Sequence, residues 1–129
     1  MIDYYISNLL INIKNGYVSN LRTVYCRYNV TCVKILALLY KGGYIDNYYF
    51  TKTGLVVIKL KYYWNTNLFN GLKIYSKPGR KIYYSSFDLY CKFNKLPFVV
   101  VSTSCGLLNH KDAILKNLGG EVLFSLNYL

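Results

Sequence analysis

Ser102-Thr103-Ser104-Cys105-Gly106 places three hydroxyls, a thiol and a glycine on consecutive residues. The segment directly follows the apolar run Phe98–Val101, so its hydroxyls stand at the end of an expected buried strand. Two chemistries fit this pattern. Compact donors and acceptors suit phosphate oxygens, ribose 2′-hydroxyls and base edges, where a long side chain would not fit closely. A serine loop can also hold a nucleophile, but that needs an adjacent base and an acid to orient it. GxSxG is absent, and the only histidine, His110, adjoins the cation Lys111. The residues therefore favour binding over a small hydrolase built on Ser104.

A second segment is Ser76-Lys77-Pro78-Gly79-Arg80-Lys81. Proline followed by glycine favours a tight turn of type II geometry. Three cations held on a rigid turn lose less freedom on binding than a flexible lysine run does. A solvated hairpin tip would carry the same residues. The remaining chemistry is sparse. Asp3, Asp46, Asp88, Asp112 and Glu121 are scattered, with no pair at helical or strand spacing for general acid–base work. Neither a Walker-type phosphate loop nor a GxGxxG turn is present. Cys26, Cys32, Cys91 and Cys105 form no CxxC pair, and a single histidine completes no zinc set. No metal or cofactor is expected. The cysteines read as small buried or half-buried residues in a reducing compartment, and His110 as a surface residue.

The elements that must position these segments follow from periodicity. Residues 3–17 predict an amphipathic helix, with Ile6, Leu9, Leu10, Ile13 and Tyr17 on one face, Asp3 as its cap and Gly16 near its end. Thr23–Arg27 predicts a strand. Asn29 caps a second expected helix with the stripe Val33, Leu36, Ala37 and Tyr40, ended by Gly42-Gly43. Strands are expected over Tyr44–Thr51 and Leu55–Tyr62, joined at Thr53-Gly54. The turn-rich stretch 64–71 marks a boundary between lobes. Beyond it the chain reads as mostly β: short strands Leu72–Ser76 and Lys81–Tyr84 about the basic turn, the run Phe98–Ser102, and a last strand Glu121–Leu126. A short helix over 109–117, capped by Asn109 and stopped by Gly119-Gly120, completes the reading.

The fold class expected is α+β in two small lobes: residues 1–65 as α-β-α-β-β, and residues 66–129 as mostly β with a short helix. The chain has 129 residues, 53% of them hydrophobic, so a packed core is expected. Its formal net charge of +11, from 16 Lys and Arg against 5 Asp and Glu, points to a polyanionic partner. The sixteen tyrosines fit nucleotide stacking, although abundance alone assigns none of them that role. No apolar run approaches the roughly 18 residues that span a bilayer. The opening Met1-Ile2-Asp3-Tyr4-Tyr5 has neither a signal-peptide nor a transit-peptide pattern, so the mature chain is taken to start here. Tyr, Asn, Lys and Ile are abundant and Gln is absent, the usage of an A/T-rich gene. With no targeting segment, that usage points to an organelle, mitochondrion before plastid.

Six segments, in order along nearly the whole chain, resemble the bacterial-type small-subunit ribosomal protein eight family. Ile13-Lys14-Asn15-Gly16 is similar to the Ile-Arg-Asn-Ala that ends its first helix, and Gly43-Tyr44-Ile45 to the Gly-Tyr-Ile after its second. Leu60-Lys61-Tyr62 resembles the Leu-Lys-Tyr of its third strand. Gly71-Leu72-Lys73 through Ser76-Lys77-Pro78-Gly79 and Ile82-Tyr83 resembles its Gly-Leu…Ser-Lys-Pro-Gly…Val-Tyr segment. Ser102-Thr103-Ser104-Cys105-Gly106 is similar to its Ser-Thr-Ser-Lys-Gly loop, and Gly119-Gly120-Glu121-Val122 to its Gly-Gly-Glu-Val/Ile. The sequence departs from the family at Tyr4-Tyr5-Ile6-Ser7-Asn8, where Asp-Pro-Ile-Ala-Asp is common, at Cys105 in place of a lysine, and at Asn109 and His110 in place of Thr-Asp.

The resemblance implies a structural constituent of the small ribosomal subunit, with no enzymatic activity. It implies direct binding to the central domain of small-subunit rRNA and contact with neighbouring ribosomal proteins. It implies RNA contacts at Ser102, Thr103, Ser104 and Gly106, with Glu121 close by, and at Lys14 and Asn15 in the other lobe. The cations Lys77, Arg80, Lys81 and Lys111, with Tyr83, complete the expected RNA-facing set. A stand-alone basic RNA-binding or translational regulatory module is the alternative. Neither a membrane nor a small-molecule substrate is expected as a partner.

Overall fold

In the computed structural model the residues described are 4–62, 69, 71–77 and 79–126. The expected cap at Asp3, the turn type at Pro78 and most of the 64–71 stretch lie outside them. The chain divides into two compact units, Tyr4–Asn70 and Gly71–Tyr128.

The first unit runs α1 (Tyr4–Val18), β1 (Thr23–Arg27), α2 (Val30–Lys41), β2 (Ile45–Phe50) and β3 (Leu55–Leu60). The strands form an antiparallel sheet in the order β1-β3-β2. The α1 face forms as its spacing predicts, with Ile6, Leu9, Leu10, Ile13 and Tyr17 all buried. Asn29 caps α2, its Oδ1 accepting from the Thr31 N–H at 2.9 Å. The α2 stripe differs from the expected one. Cys32, Ile35, Leu36 and Leu39 are buried, whereas Ala37 and Tyr40 are exposed. Both sets have helical spacing. The buried one carries three large aliphatic side chains, and burial of aliphatic area decides the rotation. Tyr40 instead meets Tyr48 of β2 edge-on, with ring centroids 6.2 Å apart.

Tyr17 ties this unit together. Its hydroxyl donates to the Tyr44 carbonyl at 2.7 Å and accepts from the Lys61 N–H at 3.2 Å. Its ring stacks on Phe69 at 5.4 Å and meets Tyr62 edge-on at 5.2 Å. Burial first, then the nearby Tyr62 and Asp46, push its pKa up to about 12, against the hydrogen bond from Lys61 that lowers it.

The second unit contains β4 (Lys73–Ile74), β5 (Tyr83–Tyr84), α3 (Ser86–Phe93), β6 (Phe98–Thr103), β7 (Gly106–Asn109), α4 (His110–Leu115) and β8 (Gly120–Leu126). β8 is its hub, pairing antiparallel with β6 on one side and with β4 and β5 on the other; β7 adds to β6. One sheet face packs Val99, Val101 and Val122 against Leu89 and Phe93 of α3 and Ala113 of α4. The other carries Phe98, Val100, Phe124 and Leu126, all buried. Sequence periodicity expected one short helix here, and the structure has two. α3 is capped by Ser85, whose Oγ accepts from the Asp88 N–H at 3.2 Å.

His110 is buried, at 1% exposure, and not on the surface as expected. Burial first, then the adjacent Lys111, hold its pKa below the usual imidazole value. Its Nδ1 lies 2.7 Å from Asn109 Oδ1. Asn109 therefore occupies the cap position of α4 without making a side-chain cap bond. The cysteines are free and split between environments: Cys32 is buried and Cys26 intermediate, while Cys91 and Cys105 are exposed.

Candidate nucleic-acid interface

The hydroxyl segment is a hairpin, not a loop leading into a helix. Thr103 pairs with Gly106 across the β6–β7 ladder, leaving Ser104 and Cys105 as the two-residue tip. Thr103 Oγ1 donates to the Gly106 carbonyl at 2.8 Å and accepts from the Cys105 N–H at 3.2 Å. Gly106 takes φ +107°, a conformation that a side chain would strain. One hydroxyl thus holds the tip, and the exposed Ser104 is left to face outward.

Register carries this tip into a row. Ser102 of β6 opposes Glu121 of β8, and Glu121 opposes Tyr83 of β5. Residues directly opposed in an antiparallel sheet share a face, so Tyr83, Glu121 and Ser102 lie side by side across three strands. Tyr83 is 66% exposed, Ser102 intermediate, and Glu121 buried at 4%. At the next position the backbones of β8 and β6 approach closely. A Cβ on Gly120 would collide with the Ser102 carbonyl. Gly119-Gly120, read from sequence as a helix stop, is also what lets these strands meet.

The basic turn leaves the opposite edge of β8. Lys77 and Arg80 pair across it with two backbone hydrogen bonds, both 2.9 Å. Ser76, fully buried, anchors the turn: its Oγ donates to the Val122 carbonyl at 2.6 Å and accepts from the Ile82 N–H at 3.1 Å. Lys77, Arg80 and Lys81 are exposed. Two bonds from a buried hydroxyl thus fix three cations beside the strand that carries Glu121. From the sequence Ser76 was only the flank of the turn; its buried role depends on a strand 46 residues away.

Other expected residues are not joined to this row. Lys111 is exposed on α4, which packs on the Val101 and Val122 face, opposite to that of Ser102. Lys14 and Asn15 are exposed on α1 in the other unit. No cluster of three or more His, Cys, Asp or Glu able to hold a metal occurs among the described residues. No helix among them is long and apolar enough to cross a membrane.

A pinned hydroxyl hairpin, an adjoining row and an anchored basic turn thus stand together on the second unit. Residues 4–126 match the family model of ribosomal protein S8. The chain is 34% identical to the small ribosomal subunit protein uS8 of Neorickettsia sennetsu over 94% of this chain and 95% of that protein. It is 36% identical to the uS8 proteins of Malacoplasma penetrans and Mycoplasma mycoides, in each case over 92% of this chain and 93% of the relative. The chain belongs to the ribosomal protein S8 family.

Proposed function

We propose that this protein is a structural constituent of the small ribosomal subunit and a primary binder of the central domain of small-subunit rRNA. The observation that carries the reading is the continuous row Tyr83–Glu121–Ser102, running into the Thr103–Gly106 hairpin beside the Lys77–Lys81 turn. Lys77, Arg80 and Lys81 neutralise phosphates and release counterions. Ser102, Ser104 and the backbone at Gly106 meet an irregular RNA segment whose bases and sugar hydroxyls are accessible. Lys14, Asn15 and Lys111 add contacts from elements outside the row. In this reading the carboxyl-terminal unit is the principal rRNA-binding lobe, neighbouring ribosomal proteins are its other partners, and there is no catalytic role. Membership of a ribosomal protein family supports both. Residue usage alone supports an organellar ribosome, mitochondrial before plastid; the relatives named above are bacterial.

The test is a titration of the purified protein with a fragment of the cognate central domain, beside an unrelated duplex RNA of equal length, at several salt concentrations. The cognate fragment is expected to bind more tightly, and the preference to survive raised salt. Ser104→Ala is expected to weaken binding at every salt concentration, by roughly 1–3 kcal/mol. Lys81→Ala is expected to lower the salt slope by about 1. Equal binding of both RNAs, falling together as salt rises, would overturn the reading.

A further inference from the structure

The outer face of the β1-β3-β2 sheet is open. Its central row is Tyr25–Val57–Tyr49, the three residues opposed in register across the strands. Tyr25 is 56% exposed and Tyr49 46%, while Val57 between them is buried at 4%. Strands lie about 4.8 Å apart, so the backbones of Tyr25 and Tyr49 are about 10 Å from one another, with the aliphatic Val57 between them. The next row is Thr23–Lys59–Asn47, and on the other side Arg27 opposes Leu55. Lys59 Nζ lies 5.7 Å from the Tyr49 ring centroid. Cations therefore flank the aromatic row on both sides.

Burial does not explain these tyrosines. The inward face of the same sheet is occupied by Val24, Val56, Ile58 and Leu60, all buried. Eight of the chain's Lys and Arg fall within residues 4–70 against one carboxylate, Asp46. Asp46 is the bulged residue between Ile45 and Asn47, at the end of β2 remote from Phe50. The charge of this unit thus favours an anionic occupant. A row of flat exposed rings favours one with π-faces to offer.

We infer that this sheet face is a stacking platform for unpaired nucleotides of single-stranded RNA, separate from the hydroxyl hairpin. Tyr25 and Tyr49 each stack one base over the Val57 floor, and Lys59 and Arg27 take the phosphates on either side. Because any base has a π-face, the platform binds with little sequence preference. The inference rests on the chain being an RNA-binding protein, but it uses none of the residues assigned above to rRNA recognition.

The experiment titrates the full chain with an unstructured oligouridylate, following affinity and the ring resonances of the tyrosines. Tyr25→Thr with Tyr49→Thr, both exposed strand positions, is expected to weaken oligouridylate binding roughly 20-fold or more. Tyr25→Phe with Tyr49→Phe keeps both rings and is expected to retain wild-type affinity. Ser104→Ala is expected to leave oligouridylate binding unchanged while weakening the central-domain fragment. If the fragment shows no preference but the oligouridylate still binds through the two rings, the platform stands and the rRNA reading falls. If the threonine variant binds oligouridylate as the wild type does, or the phenylalanine variant loses binding with the threonine one, the inference is overturned. No binding of oligouridylate at this face also overturns it, and leaves the two tyrosines to a protein neighbour.

Discussion

The two units carry their candidate contacts in opposite ways. In the carboxyl-terminal unit the contacts are small and depend on backbone position. Ser104 stands on a two-residue tip held by Thr103, and the cations of the basic turn depend on the buried Ser76. In the amino-terminal unit the sheet contacts are large and depend on strand alternation, as with Tyr25 and Tyr49 in one register row. The difference teaches what each can recognise. A hydroxyl reads a shape only while its Cα is fixed within a fraction of an ångström, so its support must be rigid. A stacking ring tolerates a sliding base, so an ordinary sheet suffices.

Breaking the backbone support should therefore harm the carboxyl-terminal unit most. Gly120→Ala drives a Cβ into the Ser102 carbonyl. It is expected to cost about 3 kcal/mol, the upper part of the overpacking range, and to lower the denaturant midpoint. Wild-type stability in urea would break the comparison, because it would mean that the two strands can separate freely at this point. Ser76→Ala leaves the Ile82 N–H without its side-chain acceptor and is expected to cost about 2 kcal/mol. It should also lower the salt slope of RNA binding, as the turn that holds Lys77, Arg80 and Lys81 loses its anchor.

Tyr17→Phe sharpens the comparison from the other unit. It removes the bonds to Tyr44 and Lys61 but keeps the ring packing, and is expected to cost about 1–2 kcal/mol. In the wild type the folded-state pKa lies above the ordinary tyrosine value of 10.0. Its contribution is therefore complete below pH 10 and is lost as pH rises through about 12. Alkaline unfolding that is as steep in Tyr17→Phe as in the wild type would contradict this. The smallest effect is expected at His110, whose folded-state pKa lies below 6.5. Its contribution is present above pH 6.5 and is lost as pH falls below that value, because the unfolded chain takes up the proton first. His110→Gln should flatten that part of the stability profile, read by denaturant unfolding at a series of pH values.

Much of the fold was legible because local rules and burial agreed. The α1 face, the Asn29 cap and the Phe98 strand each follow from spacing or chemistry within a few residues. The readings that failed needed distant partners. The α2 stripe was ambiguous because Ala37 and Tyr40 match helical spacing as well as Ile35 and Leu39 do; only the sheet chooses between them. α3 was missed because its eight residues bury just Leu89 and Phe93. His110 was misplaced because burial of a histidine depends on what folds over it. Of the candidate interface, the hydroxyl and basic segments were visible as residue types. Glu121 beside the hydroxyl segment came only from the family resemblance, and the register that joins it to Tyr83 and Ser102 depends on strand pairing. The outer aromatic row had a signal that was passed over: alternation along Thr23-Val24-Tyr25-Cys26-Arg27 already places Thr23, Tyr25 and Arg27 on one face.

In both sheets the hub strand comes last in its unit. β3 separates β1 from β2, and β8 holds β4, β5 and β6. On a growing chain, therefore, neither sheet can be completed until its final strand has emerged. At roughly 5–20 residues per second, the earlier strands wait for seconds without their central partner, β6 pairing only with β7. The synthesis of that strand therefore sets the earliest moment at which each sheet can close.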